Sequence, residues 1–206
     1  MAEQMLLRVK DEVARRLRRL QSLPEHPQKA ALANLRRGVG RAPGELPELW
    51  GIFLQELPPD MESRDGSPTR AEWAIYLALT LYALHQQGHS LPQDNMHRQG
   101  IGFGQAVRGL VKGGGRAPEE SSILRRFNAL ATANTMPERA QHLRGIIQML
   151  RANGLPLDYV ALSGDLYALQ IPALAPGCAC DGDRIITARL QKRKKASATA
   201  ENEKEN

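Results

Sequence analysis

Two histidines, two cysteines, a glycine run and a set of arginines are the residues here whose types and spacing could do chemistry. His85 and His89 stand four apart, a spacing that lets one helix face hold a metal ion. Gly88 interrupts any such helix and no His-Glu-x-x-His pattern exists, so a metal site is not expected. Cys178-x-Cys180 has no second cysteine pair and no suitable downstream histidine, which argues against zinc. Gly100-x-Gly102-x-Gly104 has the glycines of a phosphate loop and nothing else of it. It lacks a preceding strand and the fingerprint spacing, and no Gly-Lys-Ser/Thr follows. The glycines are better read as setting a loop and letting helices approach closely. Free N–H groups at the start of the next helix can still receive an anion. His142, on an apolar face, reads as a hydrogen-bonded core or interface histidine. Ser121 and Ser122 read as part of a helix start. Asp158 and Asp165 lie seven apart and share a helix face. Asp158 is placed to cap that helix and Asp165 to pair with an arginine. No nucleophile stands with a base, so neither a catalytic residue nor a cofactor is expected.

Charge is the stronger signal. Lys plus Arg number 28 against 22 Asp plus Glu, a net +6 that suggests an anionic partner. Arg98, Arg108, Lys112, Arg116, Arg125, Arg126, Arg144 and Arg151 crowd the second half, where only Glu119, Glu120 and Glu138 intervene. Arg108 and Lys112 are one helical turn apart, and Arg144 and Arg151 are two turns apart, so each pair shares a face. Such stripes can track a phosphate backbone. Trp50, Phe53, Trp73, Phe103, Phe127 and Tyr159 all fit core positions, which leaves few rings to stack on bases. Backbone binding without sequence readout is therefore expected. The alternative is surface charge that is solvated or that pairs with protein partners.

These side chains need a scaffold, and the pattern is helical throughout. From Trp73 to Leu84 only Thr80 and two tyrosine hydroxyls are polar, with Thr69 and Glu72 at capping-box spacing. This run is too short to span a membrane and reads as a central core helix. Around it the periodicity predicts helices over 4–20, 29–37, 47–57, a segment leading to Leu110, 118–133, 137–152 and 157–170, with another possible over 184–195. Pro24 and Pro27 are read as breaks before the second helix. The arginines of the first helix are read as a solvated face. No alternating strand pattern occurs. The expected class is all-α, a helical bundle of two small subdomains, 1–95 and 96–172, followed by an irregular basic tail over 173–206. Neither a secretory signal nor a disulfide framework is evident, which points to a cytoplasmic protein.

Several segments taken together resemble the CasB family, the small subunit of the type I-E CRISPR surveillance complex Cascade. They are Trp73 to Gly88, Phe103-Gly104-Gln105-Ala106, Arg125 to Leu130, His142-Leu143-Arg144 and Leu157 to Tyr167. The resemblance covers about Met5 to Gln170, and the order of the segments is more specific than any one of them. It implies an all-helical, non-catalytic protein of two subdomains that sits as a pair along Cascade. The implied partners are the large subunit, the backbone subunits, a second copy of itself, target DNA and, as a further candidate, crRNA. The implied contacts to nucleic acid are Arg98, Arg108, Lys112, Arg125, Arg126 and Arg144, with Arg36 and Arg37 added by position. The chain departs from the family after Gln170, where members continue into an aromatic-containing end. Here no aromatic follows Tyr167, and the segment runs through Cys178 and Cys180 to Lys192-Arg193-Lys194-Lys195.

Overall fold

The apolar run after Thr69 becomes the axis around which the other helices pack. The computed structural model describes residues 1–46, 49, 57–112, 117–172 and 174. Among the described residues there are seven helices and no strand. They are α1 (Ala2–Ser22), α2 (Glu25–Arg37), α3 (Arg70–His85), α4 (Phe103–Lys112), α5 (Ala117–Thr132), α6 (Met136–Ala152) and α7 (Tyr159–Ala168). The all-α class is as expected. The expected helix over 47–57 lies largely outside the described residues, as do the glycines 113–115 and everything after Leu174. No described helix is long and apolar enough to cross a membrane.

α3 starts where the capping box sets it. Thr69 Oγ1 accepts from the Glu72 N–H at 3.1 Å, and Glu72 Oε2 accepts from the Thr69 N–H at 2.6 Å. Two of the orphan donors at the helix start are thereby satisfied. Every residue from Ala74 to His85 is buried. α1, α2, α6 and α7 all pack against α3, which is why it has no polar face. One continuous core runs from Val9 on α1 through α3 to Tyr167 on α7.

The arginines of α1 are not simply a solvated face. Arg16 is buried at 7% exposure and donates to Glu12 Oε1 at 2.5 Å, with Glu12 itself buried. Arg15 donates to the same oxygen at 2.8 Å, and Arg8 pairs with Asp60. The Glu12 carboxylate, placed one turn back, lets Arg16 turn inward.

α2 begins four residues before the expected start, because Pro27 falls within its first turn rather than before it. A first-turn N–H has no partner inside the helix, so proline removes nothing there. Gln28 Nε2 donates to the Leu20 carbonyl at 3.0 Å and ties α2 to the end of α1. At the other end Tyr76 Oη donates to the Gly38 carbonyl at 2.9 Å. A Cβ at Gly38 would lie 2.6 Å from Tyr76 Oη and 2.7 Å from Leu49 Cδ1, so only glycine lets the chain press this closely on α3. The last turn of α2, with Arg36 and Arg37, is fixed in place by that contact.

The segments before α4 and α7 are stitched together. His97 and Leu157 form an isolated parallel bridge, and the Asp158 N–H donates to the Ile101 carbonyl at 2.8 Å. Asp158 caps α7 as expected, its Oδ1 accepting from Val160 and Ala161 N–H at 3.0 Å each. Its Oδ2 accepts from the Gly100 N–H at 2.8 Å. The anion that the glycine loop receives at Gly100 is thus the chain's own carboxylate.

Candidate nucleic-acid interface

The last turns of α2 and α6 bring two arginines together. Arg36 is half-buried, and burial lowers its pKa, with the nearby charge of Arg151 pushing the same way. Arg151 Nη1 donates to Gln87 Oε1 at 2.6 Å, which fixes the head of that side chain beside the end of α3. Two like charges in one place are unfavourable unless something anionic joins them. The C-terminal ends of both helices supply partial negative charge and offset part of this repulsion.

Two further guanidiniums lie against or along α6. Arg144, exposed and two turns before Arg151, places Nη1 3.9 Å from where a Cβ on Gly40 would stand. That is the loop immediately after α2. Arg126 reaches across from α5 to lie over Gly145 of α6. Among the described residues none of Arg36, Arg126 and Arg144 forms an ion pair. Arg41, on the same loop as Gly40, is 4.0 Å from Glu45.

The other expected contacts are more dispersed. Arg37 and Arg125 are exposed on α2 and α5. Arg98 is exposed on the loop before α4, held by its backbone N–H donating to the Leu157 carbonyl at 3.1 Å. Arg108 is half-buried on α4. The side chain of Lys112 and all of Arg116 lie outside the described residues. The spacing of Arg144 and Arg151 was readable in the sequence. Gln87 and Gly145 were missed, and the signal for Gly145 was a lone glycine inside a strong helical pattern.

The histidines and aspartates take structural places. His89 Nδ1 meets Asp94 Oδ2 at 2.5 Å, whereas His85 points into the core. His85 Nδ1 lies 2.9 Å from Tyr159 Oη, which lies 3.3 Å from the Leu81 carbonyl. A proton on Nδ1 makes both bonds at once: imidazole to phenol, phenol to carbonyl. His85 Nε2 is buried without a hydrogen-bond partner. Burial pushes the His85 pKa down to about 4, with His89 and Arg151 adding to the shift and the Leu155 carbonyl opposing it without closing a bond. His142 is half-buried, with Glu138 4.0 Å away. Asp165 faces Lys10 of α1 rather than an arginine. Burial raises its pKa to about 6, against the pull of Lys10 and with a smaller push from Asp158. Among the described residues no cluster of three metal-ligating side chains forms.

These two shifts have opposite consequences for stability. His85 is held neutral, so the unfolded chain takes up its proton first and stability falls as pH drops from about 6.5 to about 4. Asp165 is held protonated, so its contribution is lost as pH rises from about 4 through about 6. Asp165→Asn is therefore expected to stabilise the protein by about 2 kcal/mol at pH 7.5 and by almost nothing at pH 4. Urea midpoints of the two proteins at those pH values check this; an equal gain at both would refute it.

Comparison with known proteins agrees with the fold. The profile of the family described as CRISPR-associated protein Cse2 matches residues 31–193. The crystal structure of CasB from Thermobifida fusca is 34% identical, superposes with a TM-score of 0.68, and is matched over 85% of this chain and 96% of that one. Among curated proteins nothing matches. A profile that spans most of the chain, joined to a solved structure that superposes over most of both chains, places it: the protein belongs to the CRISPR-associated Cse2 (CasB) family of Cascade subunits.

Proposed function

We propose that this protein is the non-catalytic small subunit of a type I-E Cascade and binds nucleic-acid backbone without sequence preference, stabilising the R-loop during target recognition. The observation that carries this reading is the approach of Arg36 on α2 to Arg151 on α6, with Arg144 of α6 set over Gly40 in the loop that follows α2. Residues up to 115 positions apart in sequence supply one cationic face, and planar guanidiniums suit phosphate oxygens. Exchanging a DNA duplex for a guide heteroduplex is nearly balanced, so modest contacts to a displaced or paired backbone tip it. Arg98, Arg108, Lys112, Arg116, Arg125 and Arg37 extend the contact set. The large subunit, the backbone subunits, a second copy, target DNA and crRNA are the partners on this reading.

Fluorescence anisotropy of the full chain with scrambled single- and double-stranded oligonucleotides over a salt series tests it. The expected result is affinity that falls linearly in log–log salt and ignores sequence. No binding at the lowest salt would instead assign the arginines to protein contacts and the chain to a bridging role.

A further inference from the structure

Gly145 sits in the tenth position of the 17-residue helix α6, where glycine is the poorest choice short of proline. No turn, cap or positive φ asks for it there. What occupies the missing side chain's place is an arginine. A Cβ on Gly145 would have Arg126 atoms as its three nearest neighbours: Nη1 at 2.6 Å, Cζ at 3.6 Å and Cδ at 3.9 Å. The glycine is a notch in α6, and the guanidinium of a different helix lies in it.

We propose that Gly145 is a positioning residue for Arg126, holding that guanidinium against α6, one residue along from Arg144, as a further contact for phosphate. The inference rests on the nucleic-acid reading above. A guanidinium seated in advance loses less freedom when it meets a phosphate than one that sweeps through solvent. Alanine at this position removes the seat. Because the displaced atom is the free end of a long exposed side chain, the backbone of α6 is not forced to move. Gly145→Ala therefore separates two effects that usually travel together. It strengthens the helix and weakens the site.

The experiment uses the full chain as wild type, Gly145→Ala, Arg126→Gln and the double variant. The probe is a fluorescein-labelled scrambled single-stranded DNA at low salt, with thermal unfolding run in parallel. Gly145→Ala is expected to weaken binding roughly three- to tenfold and to raise the unfolding midpoint by about 2 °C. Arg126→Gln is expected to weaken binding by at least as much, and the double variant to bind like Arg126→Gln alone. Wild-type affinity in Gly145→Ala beside a loss in Arg126→Gln overturns the proposal and leaves the nucleic-acid reading intact. A further loss on adding Gly145→Ala to Arg126→Gln overturns it too, since the glycine then acts through something else. A lowered midpoint, or a variant that does not fold, makes the notch a packing requirement and also overturns it. If Arg126→Gln binds as wild type, or the wild type does not bind at all, the proposal falls together with the role it gives Arg126.

Discussion

Replacing Tyr159 by alanine is expected to destabilise the protein by about 3–5 kcal/mol, the range for removing a large buried aromatic. The ring is wholly buried. It meets Tyr82 edge-on with centroids 5.4 Å apart, and His85 at 5.9 Å. Its hydroxyl joins His85 Nδ1 to the Leu81 carbonyl, and its backbone N–H donates to His97 Nδ1 at 3.1 Å. Among the described residues no other side chain bonds two residues of α3 from the start of α7 in this way. Tyr159→Phe keeps the ring and removes only the hydroxyl, leaving the buried His85 Nδ1 to find a partner, and is expected to cost about 1–3 kcal/mol. Urea unfolding reads both, as a fall in midpoint at unchanged slope. If the phenylalanine variant matches wild type, the chain from imidazole to carbonyl contributes nothing.

The second large effect is on affinity. Arg144→Gln with Arg151→Gln is expected to weaken binding to scrambled DNA by one to two orders of magnitude at low salt and to reduce the salt slope by about 2. Affinity should fall equally for every sequence, because contacts to phosphate carry no base information. The same anisotropy series measures it. An unchanged slope would mean that neither guanidinium meets a phosphate. The fold should survive the change, since Arg144 is exposed and Arg151 gives up one bond, to Gln87.

The sequence was most informative where local rules and burial agree. α3 could be read because Thr69 and Glu72 fix its start and no polar stripe follows. Asp158 could be read as a cap because a short acceptor before an apolar helix has that use. The start of α2 was misplaced because Pro27 breaks a helix only beyond the first turn, and the periodicity does not say where that turn falls. Arg16 was misread because burial of a charge depends on whether a carboxylate follows it inward, as Glu12 does. His85 offered no sign of its partner, 74 residues away on another helix. The basic face was half legible. Arg144 and Arg151 share a face by spacing alone, but Arg36 joins them only because Gly38 lets α2 end against α3 and α3 in turn carries α6. Adjacency of that kind is set by packing, and no window of sequence contains it.

A helix enclosed on every side also bears on how such a chain can change over time. Each residue of α3 from Ala74 to His85 is buried within the packed interior, so altering one asks for a matching alteration elsewhere. Exposed arginines such as Arg125 on α5 and Arg144 on α6 carry no such obligation: exchanging one leaves the interior as it was. Drift in this fold should then be slow and paired at the axis, and quick and independent at the rim. Two proteins with the same centre can therefore differ freely in what they grip, and kinship read from the interior says little about the strength of that grip.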